Sequence, residues 1–463
     1  MNHLLREVLP ALGLDEGFAA DRLALAGGNG LPSTLPVNTL ACGAVAAAAL
    51  SGMAMRGGER VLVDPLQVSV SFRADQVLTI DGTTPDSFAP LSGFFATADG
   101  WVRTHANYPH HRQRLLRALG LPDDTGRPEV EAALADRSAR QVEDDVTAEG
   151  GIAVAVRDHR SWFAGEQAAA VDTHPLLEVS RHAGREVAGG SGAGPAIDTR
   201  PVPLSRRPRV LDLTRVIAGP VATRTLALLG CEVLRVDPPA LPELEPQHVD
   251  TGAGKRSTLL DLRDVDDRAT FLRLLGTADV LVTGYRPGAL EAVGLGDDEL
   301  AVSHPGLVHA SLSAWGTAGP WGGRRGFDSI VQAATGIALV ESPDGVRPGA
   351  LPAQALDHAT GYLLAAGVMA ALRRRAEEGG SWRVRAHLAR TAHWLLRTDA
   401  LDARAELVAD PAPWLVGADT AYGRVVQPRP AFRVDDGPTV FPRPAHRWGA
   451  DAPEWGPSAR DGR

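Results

Sequence analysis

The run Leu351–Leu372, LPAQALDHATGYLLAAGVMAAL, carries no charged-type side chain apart from Asp357 and His358. Its length and periodicity predict a long apolar helix, with Asp357 at the N-terminal end. There a carboxylate complements the macrodipole and accepts free backbone N–H groups. On these residues alone Asp357 reads as an N-cap, and any chemistry at that position needs a further warrant. His358 is its neighbour in sequence, but adjacent helical side chains diverge by about 100°. The two therefore do not form a dyad, although His358 could orient a bound molecule.

Other groups could also carry chemistry. His105, His110 and His111 cluster in sequence but match no metal-ligand spacing, and read as an exposed loop and helix start. No metal site is expected. GPWGGRRG (Gly319 to Gly326) is glycine-rich and basic, yet lacks the strand–GxxxxGK[ST]–helix order of a P-loop. Asp328, in GFDSIVQAATG, reads as the cap of its own helix, with a place in a site wall as the alternative. Lys255 is the single lysine among 47 basic residues. A compact point charge in an arginine background marks a position to watch.

The elements that must position these groups divide at 186–206, a Gly-, Pro- and Ser-rich linker. Beyond it RVLDLTR, CEVLRVD, STLLDL, DVLVTGY and LVHASLS alternate with helical stretches. This pattern predicts a Rossmann-like, doubly wound parallel α/β sheet. Ligands of such sheets sit beyond the carboxyl ends of the strands, here the loops Arg215–Gly219, Asp237–Pro239, Gly284–Pro287 and Ser313–Arg325. Before the linker lie a helical start, an Ala-rich helix at Thr39–Met55, and the strand RVLVDPLQVSVSF. Two short strands around an Asp99–Gly100 turn, two helices and HPLLEVSRHAG follow. The predicted divisions are 1–85, a smaller α/β domain at 86–185, the linker, a catalytic-type domain at 207–400 and a closing segment at 401–463.

A net charge of −9 argues against nucleic acid or an anionic membrane as partner. Thr39–Met55 is uncharged but Ala- and Gly-rich and short of a full span, so a buried core helix is expected. The N-terminus lacks the pattern of a secretory signal. Cys42 and Cys231 form no disulfide framework, consistent with buried thiols in a cytoplasmic protein. LPVNTLACGAVAAAALSGMAMRGGERVLVDPLQ echoes the stretch from Leu351, placing Thr39 opposite Asp357. An internal repeat that lost one carboxylate is one account of the echo, and convergence of two apolar helices is the other.

The ordered series VLDLTRVIAGPVATRTLALLGCEVLRVDPP, GKRSTLLDL, DVLVTGYRPGALEAVGLG, LVHASLSAWGTAGPW, GFDSIVQAATG and ALDHATGYLLAAGVMAAL resembles the class III CoA-transferases. That family also contains the 2-methylacyl-CoA racemases. GRVVQPRPAFRVDDGPTVFPRPAHRWGAD resembles its closing segment, and TADGWV with HPLLEVSRH its small domain. The small domain here precedes the Rossmann-like part, so the chain looks like a fused, rearranged two-half form, with 1–85 a remnant of a second large domain.

The resemblance implies that Asp357 attacks an acyl-CoA carbonyl to give a mixed anhydride, and that CoA then passes to a carboxylic acid. It implies CoA thioester contacts at Ile217 and Ala218, at Gly252, Ala253, Gly254, Lys255 and Arg256, at Gly284, Tyr285 and Arg286, and at Ser313, Ala314, Trp315 and Gly316. Lys255, Arg256 and Arg286 would meet phosphates; GPWGGRRG itself reads as a mobile lid over the thioester, with an ordinary loop as the alternative. No permanently bound cofactor and a homodimer are expected. Ile217, Pro238 and Ala292 depart from the formyl-CoA transferases, and no glycine-rich closing loop stands near Leu91–Phe95. Phe327 replaces the racemases' histidine, leaving racemase as the alternative, with a non-catalytic CoA-binding member as a third.

Overall fold

Two helices that are apolar on every side lie against each other at the centre of the chain, and the rest is layered around them. In the computed structural model, which describes residues 1–182, 206–403 and 405–456, these are α1 (Val37–Arg56) and, far along the chain, Ala355–Glu378. The linker read at 186–206 falls outside the described residues apart from Arg206. Both helices are long and apolar enough to cross a membrane, but 83% and 100% of their apolar windows are buried in the protein. Such burial is what an all-round apolar helix requires. The small side chains of ACGAVAAAAL allow close approach, and the Ser51 hydroxyl donates to the Ala366 carbonyl at 2.7 Å.

After α1 the chain was expected to run as one strand. It pairs only over Val61–Val63 and then turns into the helix Pro65–Phe72. The reason is local: Asp64 accepts the Leu66 N–H as N-cap, and Pro65 occupies the first helical position, where its missing N–H costs nothing. Next come the hairpin β1 (Gly93–Thr97) and β2 (Gly100–Thr104), whose turn is Ala98–Asp99, with Gly100 already paired to Thr97. The helix α2 (Pro109–Leu119) and the strands β3 (Ala153–Ala155) and β4 (Glu178–Arg181) follow.

The second half alternates as expected: β5 (Arg209–Leu213), α3 (Ala218–Leu228), β6 (Glu232–Asp237), β7 (Arg256–Leu259), β8 (Val280–Thr283) and β9 (Val308–Ser313). It ends with α4 (Asp328–Thr335), α5 (Ala355–Glu378) and β10 (Trp382–His387). The seven-stranded sheet has the order β7-β6-β5-β8-β9-β10-β4. All neighbours are parallel except the last pair, where Trp382–Arg385 runs antiparallel to Glu178–Arg181. The strand read as the end of the small domain is thus an edge of the large sheet. Within the second half the chain reverses direction across the sheet between β5 and β8, the place where doubly wound sheets open a crevice. The closing segment returns to the N-terminus: Phe432–Val434 pairs with Val61–Val63, and Val425–Val426 with Thr79–Ile80.

Candidate active site

Asp357 is the third residue of α5, 6% exposed. Its backbone N–H donates at 2.9 Å to the Asp328 Oδ2, on the first residue of α4. Asp328 therefore does not cap its own helix. It caps α5 from outside, while its other oxygen accepts from Gln332, whose Oε1 takes the Leu351 N–H at 2.9 Å. Asp328 is fully buried. Burial pushes its carboxyl up to about 6. Burial, and then the neighbouring Asp328 charge, hold Asp357 well above the usual carboxylate range. A basic, poorly solvated carboxylate results, aligned by a close fit. A Cβ at Gly361, one turn on, would lie 2.4 Å from the Ala218 carbonyl oxygen, so only glycine lets α5 and α3 meet this closely.

Two cavities meet at Asp357. The outer cleft, ≈ 280 Å³, opens beyond the carboxyl ends of β5, β8 and β9 and is lined by Arg215–Ala218, Gly284–Pro287 and Leu312–Ala314. Arg286, Arg324 and Arg325 give it positive charge. Val216 holds φ at +70°, a genuine outlier for a β-branched residue. Its N–H is fixed at 3.0 Å by Glu243. Burial would raise that carboxyl, but Arg235 at 2.8 Å and then Arg215 hold it down at about 2.

The inner chamber, ≈ 50 Å³, shares Val216, Ile217, Phe327 and Asp357 with the outer cleft. Its far walls come from the N-terminal half: Asp75, Asp86, Phe88, His105 and Asn107. His105 stacks face to face on Phe327, ring centroids 3.8 Å apart. Burial lowers His105 to about 3 and His111 to about 2. The histidines read as an exposed cluster are thus site walls, His105 and His111 each 4% exposed.

Of the residues expected to meet CoA, Ile217, Ala218, Gly284, Tyr285, Arg286, Ser313 and Ala314 line the outer cleft with Asp357. Trp315 does not: it is 1% exposed and packs edge-on against Trp321. Gly316, beside His174, also lies outside the cleft lining. Gly252, Ala253, Gly254, Lys255 and Arg256 line neither cavity. The closing segment covers this stretch, through Gly254 to Arg443 (2.8 Å) and Arg256 to Glu454 (2.9 Å). Lys255 is 2% exposed, its ammonium held by Asp212 at 3.0 Å and the Pro220 carbonyl at 2.9 Å. Its point charge serves a buried ion pair under α3. Asp237, at another loop expected to face ligand, is bound to Arg235 and to Trp448.

The stretch expected to be a lid packs as part of the outer cleft's wall. Trp321 donates its N–H to Gln167 at 2.7 Å, and Arg324 reaches Glu143 at 3.2 Å. His358 lines the inner chamber and stacks on Phe72. Thr39, matched to Asp357 by the internal echo, lines neither cavity and bonds Asp402 at 2.6 Å. Sequence reasoning left Asp75, Asn107 and Tyr108 out of the site, and placed Arg325 only within a loop expected to face ligand. For Asn107 and Tyr108 the only signal was the density of polar residues in THANYPHH, which names no partner, and Asp75 had none.

Residues 208–445 match CoA-transferase family III. Among curated proteins, the chain is 34% identical over 252 residues to a "probable fatty acyl-CoA transferase" of Mycobacterium tuberculosis, covering 50% of this chain and 64% of that protein. It is 30% identical over 285 residues to the succinyl-CoA:glutarate CoA-transferase of Mus musculus, covering 56% and 62%. To the acetyl-CoA:oxalate CoA-transferase of Acetobacter aceti it is 34% identical over 182 residues, covering 37% and 47%. In each case it spans less than two thirds of the relative. A crystal structure of the mycobacterial protein aligns with 36% identity over 42% of this chain and 55% of that one, at a TM-score of 0.38. With the match extending over more than half of its length, this chain belongs to CoA-transferase family III.

Proposed function

We propose that the protein transfers CoA between an acyl-CoA thioester and a carboxylic acid, with Asp357 as the nucleophile. The observation that carries this reading is the position of Asp357 where the outer cleft and the inner chamber join. A thioester whose nucleotide lies among the arginines of the outer cleft would bring its carbonyl to that junction. An Asp357 oxygen bonds to the acyl carbon, the carbon–sulfur bond breaks, and the CoA thiolate leaves, giving a mixed anhydride. The thiolate then attacks the Asp357 carbonyl carbon, releasing the first acid with one aspartyl oxygen. The second acid's carboxylate repeats the sequence in reverse.

Burial favours the first step by keeping the carboxylate basic and poorly solvated. The first two residues of α3, Ala218 in the cleft wall and Gly219, carry N–H groups with no partner inside the helix. They suit the developing oxyanion. Arg286 and Arg325 suit the phosphates: burial and then Arg286 lower the Arg325 guanidinium, a sign that positive charge is crowded and unneutralised there. The acyl-CoA and acid partners, the homodimer and the reading of the first half as a displaced second half belong to the same proposal.

Incubation with an acyl-CoA followed by hydroxylamine and peptide mass analysis tests it. The expected product is a hydroxamate at Asp357, and labelling elsewhere or none refutes it. One observation favours a second reading, α-proton exchange on a 2-methylacyl-CoA. The His105 ring, stacked on Phe327, puts an imidazole beside the position where the racemases carry histidine. Deuterium uptake at the α-carbon, lost in His105→Ala, is the result that reading requires.

A further inference from the structure

The turn from β5 into α3 is held against its own preference. Val216 stands at φ +70°, a left-handed conformation that a β-branched side chain resists and glycine adopts freely. Ile217, the N-cap, offers no side-chain hydrogen bond to the helix. The first N–H to bond back within α3 is that of Val221, to the Ile217 carbonyl at 2.8 Å. Pro220 has no N–H, so Ala218 and Gly219 carry the free ones. Where these two groups point follows from the backbone at Val216, just before them. Strain of this kind persists only where surrounding contacts over-determine it.

Those contacts converge on Glu243, whose side chain is fully buried. One of its oxygens accepts the Val216 N–H at 3.0 Å and an Arg235 N–H at 2.8 Å. The other accepts the Leu244 N–H at 3.0 Å and the hydroxyl of Tyr108. Arg215, the residue before the strained one, donates to the Pro242 carbonyl at 2.7 Å. Its guanidinium lies over the Tyr108 ring, 5.0 Å from the centroid. Tyr108 therefore grips the turn twice, by its ring through Arg215 and by its hydroxyl through Glu243. Burial, and then the Glu243 charge, hold that hydroxyl well above its ordinary range, so it remains a donor. Hydrogen bonds to an ionised carboxylate are the stronger ones. Arg235 and Leu244 belong to the same half of the chain as the turn. Tyr108 comes from the other half, 135 residues before Glu243, where it leads into α2 and lines the outer cleft while only 5% exposed.

We propose that Tyr108 is a positioning residue for the transfer: through Glu243 it holds the Val216 peptide in its strained conformation, and so aims the N–H groups of Ala218 and Gly219 at the acyl oxygen. The inference rests on the transferase reading of Asp357. Without the hydroxyl, Glu243 keeps its other donors but loses the one that ties it to the N-terminal half. Val216 then relaxes toward negative φ, and the two N–H groups turn away from the carbonyl. The arginines of the outer cleft do not depend on this turn for their charge, so acyl-CoA still binds while the step at Asp357 slows.

Tyr108→Phe removes the hydroxyl and keeps the ring against Arg215. The test uses the full chain with acetyl-CoA and succinyl-CoA, and follows hydroxamate formation at Asp357 in hydroxylamine as the acyl-CoA concentration is varied. The maximum rate should fall about tenfold in Tyr108→Phe, with the half-saturating concentration changed by less than about twofold. Val216→Gly removes the strain that the contact opposes, so in that background Tyr108→Phe should cost less than about twofold. An unchanged maximum rate, a change confined to the half-saturating concentration, or an equal loss in both backgrounds overturns the proposal. Should the native protein form no hydroxamate with either thioester, the transferase reading fails separately, and the hold on the turn is read by hydrogen–deuterium exchange of the peptide containing Val216. Faster exchange there in Tyr108→Phe supports the inference; exchange equal to that of the native protein refutes it.

Discussion

Replacing Asp328 by asparagine perturbs the site through one carboxylate while keeping its shape. In the native protein Asp328 is fully buried, accepts the Asp357 N–H at 2.9 Å and accepts from Gln332. Holding its carboxyl at about 6 rather than 3.8 costs the folded state roughly 3 kcal/mol once the group is ionised. Because the folded value is raised, the group's contribution to stability is complete below the unfolded value and is lost as pH rises through the folded one. The loss for Asp328 falls between about pH 4 and pH 6. Asp357, raised in the same direction, continues it above. The Asp328→Asn change removes the Asp328 part of this penalty. It also turns one NH₂ toward Gln332 or the Asp357 N–H, an unpaired donor costing about 1–3 kcal/mol. The variant should therefore be less stable than the native protein at pH 4, where the native penalty is still small, and equal or more stable at pH 8. Urea unfolding at the two pH values reads this directly. Removal of the like charge also lowers the Asp357 value, so the acid limb of kcat/KM for CoA transfer should move to lower pH. Parallel pH dependences of stability in the two proteins, or an acid limb that stays put or moves up, would refute the electrostatic coupling of the pair.

Lys255→Met breaks the buried pair with Asp212 and should cost about 3–5 kcal/mol in unfolding free energy, while leaving the KM for acyl-CoA unchanged. A raised KM would return Lys255 to the phosphate site. Arg286→Ala removes an exposed cation from the outer cleft and should raise the KM for acyl-CoA roughly tenfold with little effect on kcat. The effect should shrink in high salt. Gly361→Ala puts a methyl 2.4 Å from the Ala218 carbonyl and should destabilise by about 1–3 kcal/mol. Because the strain moves α5 against α3, kcat should fall with it.

How far the site could be read from sequence depended on how far apart its parts lie. The parallel strands, the two apolar helices and the carboxylate at the start of α5 are all written in local pattern, and each stands where periodicity placed it. RVLVDPLQVSVSF misled because its apolar run hides Asp64–Pro65, a cap and first-turn pair strong enough to start a helix. Lys255 misled differently. A lone lysine signals a need for a point charge, but not whether that charge meets a substrate or an internal carboxylate, and Asp212 lies 43 residues away. His105 shows the limit most plainly. Nothing local to THANYPHH predicts that its ring will lie flat on Phe327, 222 residues further along the chain. The N-terminal half, outside the family match, supplies the inner chamber's distinguishing walls for this reason: its role is set by packing, and no motif records it.

Turnover with an acceptor acid labelled in its carboxylate with oxygen-18 tests the central claim most directly. If Asp357 passes through a mixed anhydride in each direction, one acceptor oxygen remains on its side chain, and the peptide containing Asp357 becomes heavier after many turnovers. The account predicts that label in that peptide alone. Continued CoA transfer with no oxygen-18 at Asp357 would contradict it.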